Sequence, residues 1–369
     1  MNSGSGLYLG LMSGTSLDSI DAALVQLDDN HCQLIAATEH PIPTKLRQQL
    51  IELCQPGDNE IERMGLADRI LGKEFAAAAN SLLRTSNTPK ERIIAIGSHG
   101  QTIRHRPSSD NAFTLQIGDP NTIAFETGIT TVADFRRMDI AAGGQGAPLA
   151  PAFHQAAFAH PEQVRAIINI GGMANISLLN TDKPSLGFDT GPGNILMDSW
   201  IQQVQQQKYD QGGLWAASGR VYEPLLTQLL THPFLQKTQP KSTGREEFNL
   251  QWLQLILNQH AVDAIDVQAT LLEFTAQTIC DAITKLSTPV DEVFICGGGA
   301  YNNTLMTRLS QLLQPLTVAT TKDLGIAAEW IEAAAFAWLA QQTLAQKPGN
   351  LTAVTGADQA VILGAIYQA

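Results

Sequence analysis

Three observations predict an α/β protein built as two related lobes. Strand-like and helical segments alternate along the chain, a strand, glycine turn, strand unit occurs twice, and 369 residues exceed what one hydrophobic core usually organises. In such a chain the default ligand site is a cleft where two lobes meet.

The apolar segment from Leu7 to Met12 runs into the turn SGTSLDS and then into a second apolar segment from Ile20 to Asp28, which reads as strand, turn, strand. Helical spacing follows over 44–53 and 59–84, where Ile61, Met64, Ile70 and Leu71 recur near the helical period, and RIIAIG then reads as a buried strand. From Arg165 to Asn180, RAIINIGGMANISLLN repeats the opening plan. GFDTGPGN, a helix over 195–207, the loop KSTGREEFN and a helix over 267–285 come next. EVFICGGGAYNN forms a third strand and turn leading into a helix over 303–313, and an Ala-rich helix over 326–344 follows. The second opening puts the boundary near residue 135, giving an N-terminal lobe over 1–135 and a C-terminal lobe over 136–369. The duplication lies in pattern, since the letters of the two halves do not repeat.

Hydrophobic residues make up 44% of the chain and charged residues 16%, which supplies core material and excludes a disordered chain. A net charge of -12 with no basic stretch interleaved with aromatics removes nucleic acid from the expected partners. Cys32, Cys54, Cys280 and Cys296 are scattered with no C-x-x-C pair, which fits a reducing cytoplasm and argues against a zinc site. MNSGSGLYLGLM lacks the basic flank and long apolar core of a signal peptide, and no run of about 18 apolar residues marks a membrane span. The expectation is a cytoplasmic protein without a membrane partner.

Several turns carry candidate chemistry. Ser13-Gly14-Thr15-Ser16-Leu17-Asp18-Ser19 joins two strands, and its small and hydroxylated residues leave backbone N–H groups free to approach a phosphate. The same letters also describe an ordinary polar hairpin. Asp18 and Asp21 favour the phosphate reading, because a carboxylate beside a phosphate loop holds Mg²⁺ directly or through water. Gly171-Gly172-Met173-Ala174-Asn175 occupies the equivalent place in the second half, so that two turns could grip nucleotide phosphates. Gly297-Gly298-Gly299 offers bare backbone to an adenine ring or a phosphate, or simply a tight strand-to-helix junction. Neither G-x-x-x-x-G-K-[ST] nor a strand followed by G-x-G-x-x-G occurs, so P-loop and dinucleotide folds are not supported.

Asp189 lies in GFDTGPGN, a carboxylate between glycines, where it is either a general base or a helix cap. Arg136 and Arg137 sit near the expected lobe boundary, where they either salt-bridge at a surface or bind a substrate carboxylate. Glu332 interrupts an apolar run and faces either inward or solvent, and His99 in GSHGQT is either a cleft wall or a hydrogen-bonded core histidine.

The chain resembles the anhydro-N-acetylmuramic acid kinase family, within the acetate and sugar kinase, Hsp70 and actin superfamily. The resemblance runs through GLMSGTSLD, GSHGQTIRHRP, LQIGDPNTIA, ADFRRMDIAAGGQGAPL, INIGGMANIS, FDTGPGN, KSTGREEFN, FICGGGAYNN and EAAAFAWLA, nearly the whole chain. It implies two actin-like, ribonuclease H-like lobes with ATP and substrate in the interlobe cleft. It also implies a reaction in which ATP and water convert 1,6-anhydro-N-acetylmuramic acid to N-acetylmuramic acid 6-phosphate, a step of murein recycling. Under it Asp189 activates the water, and Gly14, Thr15, Ser16, Leu17, Asp18, Ser19, Ile20 and Asp21 form the nucleotide-phosphate segment. Gly171, Gly172, Asn175 and the 297–299 turn complete the ATP site, Asp18 serves Mg²⁺, and Glu332, with Arg136 and His99, contacts the sugar. Ser19 departs from the glycine usual there, which matters only if that position needs positive φ. Members are often homodimers, and the resemblance extends that expectation here. Alternatives to this reading are a kinase of another sugar, and an actin-like or Hsp70-like ATPase that binds protein.

Overall fold

The structure, a computed structural model, describes residues 5–14, 17–28, 31–107, 109–180, 186–238, 241, 243–245 and 247–369. The strands in chain order are β1 (Gly6–Met12), β2 (Ser19–Leu27), β3 (Cys32–Pro41), β4 (Ile93–Ser98), β5 (Gln101–Arg106), β6 (Phe113–Ile117) and β7 (Thr131–Ala133). They continue with β8 (Arg165–Ile170), β9 (Met173–Leu179), β10 (Leu186–Pro192), β11 (Glu292–Cys296), β12 (Thr317–Thr320) and β13 (Ala365–Tyr367). Apolar runs such as GLYLGLM and RAIINI lack strict polar alternation because both faces of these central strands are covered.

The first sheet has the order β13-β7-β4-β1-β2-β3, and the second β10-β9-β8-β11-β12. Around β1, β2 and then β3 pair antiparallel on one side while β4 and then β7 pair parallel on the other. Around β8, β9 and then β10 pair antiparallel, and β11 and then β12 parallel. The same five-strand plan therefore occurs twice, and it is the ribonuclease H-like arrangement. The duplication expected from two strand-turn-strand units is present as topology.

Residues 1–157 with 330–369 form one compact unit, and residues 158–329 form the other. The expected single division after residue 135 differs from this grouping, and the reason is steric. Gly10 and Gly97 face each other across β1 and β4. A Cβ at either would fall inside the backbone of the helix Ile331–Leu344, against Ala333 and Phe336 respectively. That closely seated helix, followed by β13 on the edge of β7, returns the C-terminal segment to the first sheet. Each unit has its own core: Leu9, Leu11, Ile20, Leu24, Leu71 and Phe75 in the first, Ile168, Ile176, Phe234, Phe248, Phe274 and Ile295 in the second.

Helix bounds follow the sequence periodicity closely. Thr44–Leu53, Glu60–Thr85, Ile195–Gln205, Ala264–Thr284 and Asn303–Leu312 stand where helical spacing puts them. The last expected helix begins later, at Ile331, behind a 3₁₀ turn at Ala328–Trp330. No helix among the described residues is long and apolar enough to cross a membrane.

Candidate active site

In the first unit the β1–β2 turn is held from below. Ser13 Oγ donates to Gln101 Oε1 at 2.7 Å, and the Leu17 amide donates to the Gly14 carbonyl at 3.2 Å. Thr15 and Ser16 lie outside the described residues. Among the described residues of this turn Leu17 takes the left-handed conformation, at φ 57°, and Ser19 does not. Ser19 opens β2 in extended pairing opposite Pro41, and a serine there is compatible with the fold. Ile20 is fully buried within β2, so its side chain belongs to the core and not to a ligand. Asp18 Oδ1 pairs with Arg47 Nη2 at 3.1 Å on an exposed surface, and Ser19 Oγ donates to Asp21 Oδ1 at 3.3 Å. Among the described residues nothing lies within 4 Å of where a Cβ on Gly14 would stand.

The same unit assembles His99, Arg136 and Glu332. Arg136 donates from Nε and Nη2 to His99 Nε2 at 3.1 and 3.0 Å, and from Nη1 to the Gly146 carbonyl at 2.8 Å. An imidazole nitrogen that accepts from a guanidinium carries no proton, so His99 is the neutral Nδ1–H tautomer. Burial, and then the Arg136 charge, hold its pKa well below the usual histidine value. Burial lowers Arg136 to about 10, with Glu332 and Asp139 acting in the opposite direction, so it stays cationic near neutrality. Glu332, in the first turn of its helix, is accessible to solvent. Burial by surrounding protein raises its carboxyl pKa and Arg136 lowers it, and water at the exposed carboxylate screens both influences.

Asp139 organises this corner, although sequence reasoning did not single it out. It is fully buried, and its carboxylate accepts from the Gly146 amide, Asn350 Nδ2 and Thr355 Oγ1, each at 2.7 Å. The Gly146 carbonyl bonded to Arg136 is thereby fixed in place.

In the second unit the Gly171-Gly172 turn between β8 and β9 is tied to the helix Ile195–Gln205. The Asn194 amide donates to the Gly171 carbonyl at 2.8 Å, and the Gly193 and Ile195 amides to the Gly172 carbonyl at 2.9 and 3.1 Å. A Cβ at Gly171 would meet nothing nearer than 3.6 Å, and one at Gly172 nothing within 4 Å. Packing does not demand glycine at either place. The Gly171 amide donates to the Met173 carbonyl at 3.1 Å, so what the turn offers an anion is the Gly172 amide, beside a helix N-terminus.

Asp189 lies on β10 opposite Asn175 of β9, which in turn lies opposite Asn169 of β8. The three form a polar row of partly exposed residues across strands whose intervening positions are buried. The register shifts between Asp189 and Gly191, a bulge of the kind that re-aims a side chain. The Asp189 carboxylate accepts from the Thr243 amide at 2.9 Å. Burial pushes its pKa up to about 6, against the lowering effect of that amide. A half-buried carboxylate titrating near there, without a cation paired to it among the described residues, is suited to proton abstraction. It does not cap the helix Ile195–Gln205, whose cap residue is Asn194. Thr243 Oγ1 is buried without a hydrogen-bond partner among the described residues.

A cavity of about 490 Å³ opens beside the third turn, lined by Met197, Asp198, Asp210, Gly298, Tyr301 and Asn302 among others. The three glycines divide the work. Gly297 takes φ 75°, and its Cβ would strike the Asn169 side chain and the Ile170 carbonyl; at Gly299 a Cβ would strike the Ile170 side chain. Gly298 has room, with Asn194 Nδ2 nearest at 3.6 Å, and it faces the cavity. Burial, reinforced by Asp210, raises Asp198 to about 7. Two carboxyl groups make this a poor place for phosphate and a suitable one for an uncharged nucleoside.

Asn169, Asp198 and Thr243 were missed in the sequence. Asn169 had a visible signal, a lone amide inside the apolar run RAIINI. Asp198, in the first turn of the helix Ile195–Gln205, and Thr243, in a loop, have neighbours that only the fold reveals. Among the described residues no group of three His, Cys, Asp or Glu side chains is placed to hold a metal.

A family model described as anhydro-N-acetylmuramic acid kinase matches residues 6–369. The chain is 54% identical over 364 residues to the anhydro-N-acetylmuramic acid kinase of Shewanella sp. (strain ANA-3), covering 98% of each. It is 53% identical over 362 residues to that of Coxiella burnetii (strain Dugway 5J108-111), covering 98% of this chain and 97% of the relative. Among solved structures, the Acidaminococcus fermentans (R)-2-hydroxyglutaryl-CoA dehydratase component A is similar at 14% identity over 92% of this chain and 100% of its own, with a TM-score of 0.49. That distant likeness adds nothing to the assignment. With a family model spanning residues 6–369 and relatives more than half identical across 98% of its length, the chain belongs to the anhydro-N-acetylmuramic acid kinase family.

Proposed function

We infer that the chain is an ATP-dependent kinase that opens the 1,6-anhydro ring of anhydro-N-acetylmuramic acid with water and phosphorylates O6, in murein recycling. The observation that carries this reading is the match over nearly the whole chain to relatives of that name. The state of Asp189 supports the chemistry, because O6 of the substrate is locked in an ether and offers a base no proton. The base acts instead on water. Asp189 takes a proton from a water molecule whose oxygen attacks the anomeric carbon. As the C1–O bond of the bridge breaks, the freed O6 receives the γ-phosphoryl group and ADP leaves; the proton on Asp189 returns to solvent. The sum is one anhydro-sugar, one water and one ATP to one sugar 6-phosphate, one ADP and one proton.

The individual residue roles are part of the proposal. The turns at Gly14 and at Gly171-Gly172 receive phosphates, with Leu17, Asp18, Ser19, Ile20 and Asp21 shaping the first turn. Asn175 keeps Asp189 in its polar row, and Gly298 lets the nucleoside settle against the turn flanked by Gly297 and Gly299. Arg136 and Glu332 bind the sugar, with His99 fixing the guanidinium plane. Mg²⁺ would be carried chiefly by the nucleotide phosphates with one or two carboxylates, a demand that Asp18 and Asp21 can meet, and when bound it would neutralise phosphate charge. We place the protein in the cytoplasm as a homodimer, on the strength of the scattered free cysteines and of its family; sedimentation checks the second.

The test is an assay with ATP and either the anhydro-sugar or open N-acetylmuramic acid and glucose. ADP and a sugar 6-phosphate should form with the anhydro-sugar and not with the open sugars. Turnover of an open sugar at an equal or greater rate, or ATP hydrolysis undiminished without any sugar, would overturn the reading.

A further inference from the structure

The segment that includes Lys241 and Thr243 grips residue 189 twice. The Asp189 amide donates to the Lys241 carbonyl at 2.9 Å, and the Thr243 amide donates to Asp189 Oδ2 at 2.9 Å. Neither residue lies in a helix or strand, so something else must fix the segment.

Lys241 supplies that anchor. Its Nζ donates to the carbonyls of Phe234 and Leu235 at 3.3 and 3.4 Å and lies 4.6 Å from the centre of the Phe234 ring. Phe234 is itself immobilised: it is fully buried, meets Phe248 edge-on at 5.8 Å, and belongs to the 3₁₀ turn Pro233–Gln236 that His232 caps. Of two neighbouring lysines, Lys237 pairs with Glu247 at 2.9 Å while lying 5.4 Å from the centre of the same Phe234 ring, and Lys285 pairs with Asp281 at 3.1 Å. Among the described residues Lys241 has no carboxylate partner, and burial, with Lys285 and Lys237, lowers its pKa. An ammonium group is poorly placed there for its charge. It is well placed for its reach.

We propose that Lys241 is a positioning residue for the catalytic base: by clamping its segment to the turn Pro233–Gln236 it holds the Thr243 amide on the Asp189 carboxylate. The proposal rests on Asp189 being the base.

The surroundings of Asp189 within its unit leave that amide as the chief adjustable influence. β9 carries no ionisable residue, and the turn Pro233–Gln236 carries none, though His232 and Lys237 flank it. The helix Ala264–Thr284, packed against β10, carries Asp266, Glu273, Cys280 and Asp281, of which Glu273 is bound by Arg308 and Asp281 by Lys285. Among its described residues the segment itself adds Arg245 and Glu247 beside Lys241, Glu246 lying outside the described residues. Burial and the Thr243 amide set the Asp189 carboxyl, and none of these charges contributes a resolved effect.

The experiment is the pH dependence of kcat/KM for the full chain and for Lys241→Met, Lys241→Gln, Lys241→Arg and Asp189→Asn. In the unsubstituted protein the acid limb should bend at about 6. Losing the amide bond disfavours the charged carboxylate, so Lys241→Met should move the limb up by about one pH unit, roughly a tenfold loss below it. Lys241→Arg, which keeps a long donor, should restore the limb, and Lys241→Gln serves if the Met variant does not fold. A shift through lost charge alone would fade as salt rises from about 0.05 to about 0.5 M, whereas a shift through position persists. An unmoved limb in folded Lys241→Met or Lys241→Gln, or one moved only at low salt, overturns the proposal. Asp189→Asn separates the two claims: if it keeps normal turnover and the same limb, the base assignment itself has failed.

Discussion

Arg136 points both Nε and Nη2 at one atom, Nε2 of His99, from 3.1 and 3.0 Å. The histidine thus serves as an acceptor that orients a cation, and its ring rests on Phe336 with centroids 4.7 Å apart. Arg136→Lys keeps the charge and loses the fork, so the KM for the sugar should rise about tenfold, the scale of one charge-assisted hydrogen bond, while the KM for ATP stays within about twofold. Steady-state kinetics in both substrates check this. By NMR, His99 should show the Nδ1–H tautomer and no titration near 6.5, since burial and Arg136 hold its pKa well below that value.

Substitutions in the 297–299 turn should separate packing from binding. Gly298→Leu projects into the cavity of about 490 Å³ with no clash at Cβ, and it should raise the KM for ATP about tenfold or more while leaving Tm nearly unchanged. Gly299→Ala drives a methyl into the Ile170 side chain and should lower stability by about 1–3 kcal/mol with a smaller effect on ATP. Denaturant melts and ATP titrations distinguish them. Equal stability losses for both would remove Gly298 from the nucleoside cavity wall.

A buried histidine and a partly buried carboxyl give the folded state opposite pH slopes. Burial lowers His154 to about 4 from 6.5, so the unfolded chain binds more protons between those values. The stability it contributes is present above 6.5 and lost as pH falls toward 4, at about 1.4 kcal/mol per pH unit. Asp198 is raised to about 7 from 3.8, so its contribution is present below 3.8 and lost as pH rises through 7. Urea midpoints measured from about pH 4 to 8 should show the acid slope reduced in His154→Phe and the loss on the alkaline side reduced in Asp198→Asn.

The strand-turn-strand units were legible in the sequence because the turns at 13–19 and 171–172 interrupt apolar runs sharply, and Asp189 stood out as a carboxylate in the glycine-rich GFDTGPGN. The grouping of the C-terminal segment with the first sheet was not legible. It is written in Gly10 and Gly97, two ordinary strand glycines until β1 and β4 are paired and the helix Ile331–Leu344 is laid across them. Asp139 was hidden for a similar reason: the Asn350 and Thr355 that donate to its carboxylate lie more than 200 positions away. Thr243 and Lys241 stood in a polar loop, whose backbone bonds to Asp189 have no signature in residue type.

The origin of the oxygen at C1 of the product tests the central claim most directly. If Asp189 activates water to open the bridge, turnover in H₂¹⁸O must give N-acetylmuramic acid 6-phosphate with the label at C1 and none in the phosphoryl group. Mass spectrometry of a product quenched before anomeric exchange reads both positions. A product with unlabelled C1 would contradict the account.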